Sequence, residues 1–80
     1  MLKQNKREPL LKNYRGQYRY LFNWKSGGFN DIWAEILVEF KKKLKREYPG
    51  SESQVDYSTL HKATLTRSRE WDRIGNMWWD

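Results

Sequence analysis

The 80-residue sequence predicts a small single-domain α+β fold. Its expected order is ββαβα: a β-hairpin, a helix, a third antiparallel strand and a short C-terminal helix. Three observations carry this. Tyr18, Tyr20, Phe22 and Trp24 alternate with Arg19, Leu21, Asn23 and Lys25, the period of a half-buried strand. Apolar residues then recur at helical spacing up to Tyr48, where Pro49-Gly50 stops them. A second alternating stretch runs from Val55 to Ala63. Strands and helices that do not alternate as repeated βαβ units favour an antiparallel sheet.

Each element follows in order. Residues 1–13 are polar, contain Pro9 and show no sustained period, so they read as a flexible basic arm ahead of a domain over 14–80. Leu10-Leu11 is the pair that could pin it. The first strand occupies roughly 17–25. Ser26-Gly27-Gly28 supplies the turn, because glycine reaches positive φ without a steric penalty. A strand near 29–34 then pairs back onto the first.

The next stretch fits two periods. Ile32, Trp33, Ile36, Leu37, Phe40, Leu44 and Tyr48 form a helical stripe, while Ile32, Ala34, Ile36, Val38 and Phe40 alternate. The reading adopted is a strand followed by a helix near 36–48. The alternative is a mostly helical chain with one long helix over 31–48, capped by Asn30 or Asp31. Lys41–Glu47 contains good helix formers and no β-branched residue. Glu39 precedes Lys43 by four residues, the favourable order for an ion pair. In the third strand, Val55, Tyr57, Thr59 and His61 are expected on one face, with Asp56, Ser58 and Leu60 on the other. Thr64 or Thr66 can cap the last helix, and Gly75-Asn76 is expected to weaken or end it.

Composition narrows the function. There is no cysteine and one histidine, so no thiolate or ordinary histidine metal site is available. Gly27-Gly28 lacks the third glycine and the Lys-Ser/Thr of a phosphate loop. Ser58, His61 and Asp56 lie too close on one strand to form a triad. The chain therefore reads as a non-enzyme with no cofactor and no small-molecule substrate. No apolar run is long enough for a signal core or a membrane span. A cytoplasmic location and no membrane partner are expected.

The net charge is +6, and it is polarised. Residues 1–50 hold twelve Lys/Arg against five Asp/Glu; residues 51–80 hold four against five. A basic surface of this kind attracts acidic proteins and phosphate backbones alike. Lys41, Lys42, Lys45 and Arg46 form the sharpest cluster, with Arg19 and Lys25 as further contacts to nucleic acid or an acidic partner. The bland alternative is a solvated helix face. The hairpin aromatics read as core, because a small cysteine-free domain needs large apolar side chains. Trp71, Trp78 and Trp79 are the candidate partner-binding residues, since exposed tryptophan is a frequent interface anchor. A homodimer through them is one way to use that surface.

Several of these residues together resemble a family. Gly27-Gly28-Phe29-Asn30, then Ile32-Trp33-Ala34, a lysine-rich helix and an aromatic-acidic end are similar to small accessory proteins of tailed phages, including those of cyanobacteria. The likeness spans roughly 14–80. It implies a viral accessory role in the host cytoplasm, binding and modulating a host protein. The alternative reading is a nucleic-acid-binding module that uses the arm and the basic helix.

Overall fold

The computed structural model describes the backbone of residues 8–79 and side chains as far as residue 75. Lys3, Lys6 and Arg7 of the arm, and the side chains of Trp78 and Trp79, lie outside the described residues. The elements are β1 (Tyr18–Trp24), β2 (Phe29–Ala34), α1 (Leu37–Glu47), a single 3₁₀ turn (Glu52–Gln54), β3 (Val55–Lys62) and α2 (Leu65–Trp79). The sheet is antiparallel with strand order β2-β1-β3. This is the ββαβα domain that the periodicities predict.

The two periods of 29–48 resolve into strand then helix, not one long helix. β2 pairs without interruption onto β1, from Phe29 opposite Asn23 to Ala34 opposite Tyr18. Gly27 and Gly28 take φ of +111° and +86° to make the turn. The helix begins only at Leu37, where Glu39 Oε1 accepts the Glu35 N–H at 2.5 Å. Glu39 thus reaches back to the N–H of the residue before the N-cap Ile36. This takes Glu39 away from Lys43, so the expected ion pair does not form. Lys43 Nζ instead donates to the Trp33 carbonyl at 2.6 Å.

Alternation in β1 assigns its faces. Tyr18, Tyr20, Phe22 and Trp24 all face α1. Phe22 and Phe40 are fully buried and meet edge to face at 5.6 Å, Tyr20 lies 5.2 Å from Phe40, and Trp24 meets Tyr48 at 5.4 Å. Ile32, Ala34, Leu44 and Val55 complete this core. The hairpin rings are core, as their spacing implied. The opposite face carries a smaller cluster of Leu21, Ala63 and Trp71, with Phe29 against it. Both faces of a three-stranded sheet are therefore used.

β3 departs from simple alternation. Leu21 pairs with His61, yet Asn23 pairs with Asp56. Four residues, Tyr57 to Leu60, stand opposite Phe22 alone. This bulge adds three residues, an odd number, so it reverses which face each later residue takes. Val55 and Leu60 consequently both join the α1-side core, although the alternation had placed them on opposite faces. Local polar side chains hold the bulge. Ser58 donates to Asp56 Oδ1 through both its N–H and its hydroxyl. The Thr59 hydroxyl donates to the Asp56 carbonyl at 2.6 Å and accepts the Asn23 N–H at 2.8 Å. A side chain thus replaces the missing ladder partner.

Thr64 caps α2 by accepting the Arg67 N–H at 3.1 Å. The helix continues through Gly75-Asn76 to Trp79, so the glycine does not end it. From Glu8 onward the expected arm is docked. The Leu11 N–H donates to the Ala63 carbonyl, Leu10 bridges Thr64, and Lys12 bridges Tyr18. Backbone pairing holds it, with Leu11 half-buried and Leu10 exposed.

Candidate functional site

α1 is oriented by its contacts. Phe40 and Leu44 point into the core, Lys43 reaches β2, and Lys41 lies over the Tyr57 ring of the bulge at 5.8 Å. The remaining positions face solvent. Lys41, Lys42, Lys45 and Arg46 are all exposed. Arg46 Nη2 lies 3.8 Å from the carboxylate of neighbouring Glu47, an exposed pair that contributes little. Among the described residues, Lys41, Lys42 and Lys45 have no carboxylate within ion-pair distance. Four cations in two helical turns with almost no internal compensation make a concentrated positive field.

The other half of this surface is apolar. Ile36 is 60% exposed and Val38 59%, with Leu37 and Tyr57 also exposed. Single exposed aliphatics are ordinary. Three consecutive ones at a helix start, with an exposed tyrosine beside the same helix, form the kind of patch that marks an interaction site. Sequence reading put Ile36 and Leu37 in the core stripe. The helix begins at the sheet's end, so its first turn overhangs the core while its second and third turns pack. The exposed Val38 was visible as a residue off the helical stripe, and that was the available signal.

The remaining candidates stand elsewhere. Lys25 is exposed in the hairpin turn, beyond the end of α1 where Tyr48 meets Trp24. Arg19 is engaged within the domain. Its Nε donates to Asp31 at 2.6 Å, its Nη2 donates to Asp72 at 2.7 Å, and its Nη1 donates to the Ser68 hydroxyl. Its side chain is 12% exposed. Burial alone would lower the pKa of this guanidinium, but the bonds to Asp72 and Asp31 outweigh it and hold the pKa above its ordinary value. Arg19 is a cross-link between β1, β2 and α2.

Trp71, expected on a partner surface, is 8% exposed. Its ring meets Phe29 at 4.8 Å, and its indole N–H donates to the Asn30 carbonyl at 3.3 Å. It is there because α2 needs one large side chain to reach the sheet past Leu21 and Ala63. Beside it, Arg19, Phe29, Asp31 and Asp72 line a shallow groove of about 220 Å³. An aromatic cluster next to a basic residue thus sits on the α2 side, but its cation is already neutralised.

Among the described residues, no group of three His, Asp or Glu side chains is placed to hold a metal ion. No helix there is long and apolar enough to cross a membrane. Comparison with family models, curated proteins and solved structures finds no match for this chain.

Proposed function

We propose that this is a non-catalytic binding module that docks an acidic protein through the outer face of α1. One observation supports a protein over a nucleic acid: exposed Val38 and Tyr57 lie beside the four exposed cations, with Ile36 and Leu37 exposed at the same end of the helix. A phosphate backbone needs only the cations. A protein partner uses both halves, with an apolar anchor at the centre and charge pairs that speed encounter. A second copy of this chain fits the same face poorly, because a two-fold contact would set like charges against each other. An accessory protein acting on an acidic host factor, as the likeness to phage proteins implies, is one setting for such a surface.

The test compares an acidic, leucine-containing peptide with a duplex DNA, using fluorescence anisotropy at low and moderate salt. For Lys42→Glu/Lys45→Glu, peptide affinity is expected to fall by about tenfold or more, roughly 1.4 kcal/mol, since each pair contributes up to about 1 kcal/mol and reversal adds repulsion. Val38→Ser, which removes the apolar contact without adding charge, should weaken peptide binding severalfold and leave DNA binding unchanged. If the duplex binds more tightly than the peptide and Val38→Ser affects neither, the nucleic-acid reading is the correct one.

A further inference from the structure

A second cationic feature lies on the same face of the sheet, at the end where β1 begins. Lys12 stands opposite Tyr18 through an isolated antiparallel bridge, and Lys62 stands opposite Tyr20 in the β1–β3 ladder. Residues directly opposite in an antiparallel pair share a face. The four side chains therefore form a two-by-two array on the face that carries α1. The rings and ammonium groups meet within it. Lys62 Nζ lies 4.1 Å from the Tyr18 ring centroid and 5.9 Å from that of Tyr20, while Lys12 Nζ lies 5.0 Å from Tyr18.

Both ammonium groups thus share one ring, no more than about 9 Å apart, which is within a Debye length at about 0.1 M salt. Among the described residues no carboxylate pairs with either. Cation–π contact offsets part of their mutual repulsion. It does not neutralise their charge. Backbone pairing fixes both stems, so the fold holds two positive charges together without a counter-charge. Neither the docking face of α1 nor the core uses this pair.

We infer that Lys12 and Lys62, backed by Tyr18, form an anion site that takes a phosphate monoester group. A dianion is attracted by both charges at once, and charge-assisted bonds to an ammonium group are the stronger class. A carboxylate carries one charge where a phosphate monoester carries close to two, so it offsets the pair less completely. This site is separate from the proposed protein-docking face, so either assignment can fail without the other.

The experiment is an NMR amide-shift titration with inorganic phosphate, balanced against chloride at constant ionic strength, on the full chain. Saturable shifts centred on Lys12, Tyr18 and Lys62 are expected, and they should weaken about tenfold or more in Lys12→Gln/Lys62→Gln. Adenosine monophosphate should reproduce them and adenosine should not. Equal response to phosphate and the monophosphate means the free group is what is read; a clearly stronger response to the monophosphate means a nucleotide is the source. Shifts that are unchanged in the double variant, that centre on residues 41–46, or that adenosine reproduces would overturn the assignment. If the double variant is unfolded by circular dichroism, Lys12→Gln alone repeats the test, since that side chain is exposed.

Discussion

Phe22→Ala is expected to remove about 3–5 kcal/mol, a third or more of the stability typical of a chain this size. Phe22 is fully buried in the central strand and packs edge to face on both Trp24 and Phe40. Truncating a buried phenylalanine costs about 3–5 kcal/mol, through lost transfer energy and the cavity left behind. A chain of this size has a total stability of about 4–12 kcal/mol. The bulge aggravates the loss. Phe22 is the one β1 residue facing the four residues of β3 that leave the ladder, so side-chain packing substitutes there for regular pairing. Urea unfolding followed by tryptophan fluorescence checks it. A midpoint close to that of the unmodified chain would mean that the α1-side core is not what holds the domain together.

Arg19→Met comes second, at about 2 kcal/mol of destabilisation at neutral pH, and it has a pH signature. The substitution keeps much of the side chain's length but removes donors to Asp31, Asp72 and Ser68. Charged hydrogen bonds contribute about 1.5–3 kcal/mol, and stranding a half-buried carboxylate adds to the loss. Asp72 is 59% exposed, which discounts its share. The hydrogen bond from Arg19 chiefly holds the Asp72 pKa below its ordinary value. The folded state therefore binds that proton more weakly than the unfolded state does. Stability from the pair is fully present above the ordinary aspartate range, near pH 4, and is lost as the pH falls through the lowered folded value. The gap between wild type and Arg19→Met should thus be widest above pH 5 and narrow towards pH 2. A gap independent of pH would show that the pair contributes only packing.

Arg19 also shows where sequence reading stops. The elements were legible because each rests on local chemistry: period-two rings for β1, adjacent glycines for the turn, Pro49-Gly50 after α1 and Thr64 before α2. Arg19 was legible only as a cation on the second face of β1. Its partners lie twelve and fifty-three residues away, and no local pattern reports that. The burial of Trp71 was hidden for the same reason. A tryptophan near a chain end looks spare until α2 is known to cross the second face. The bulge is a different case. Asp56, Ser58 and Thr59 are residues that bond their own backbone, so the signal was present. Alternation at period two outweighed it. In the candidate docking face, Lys41, Lys42, Lys45 and Arg46 were legible as a charge run. The apolar half was hidden, because a helical stripe does not show where the sheet beneath it ends.

The bulge has a consequence for length variation. Excising residues 57–59 would bring Leu60 opposite Phe22 and leave Val55, Leu60 and His61 on the faces they now occupy. Removing one residue, or two, would leave a smaller bulge in its place, with two extra residues or one. A trimmed chain would retain its sheet and lose Tyr57, which lies against Lys41. The fold can gain or shed this triplet as a unit, so the docking face can change while the architecture beneath it stays the same.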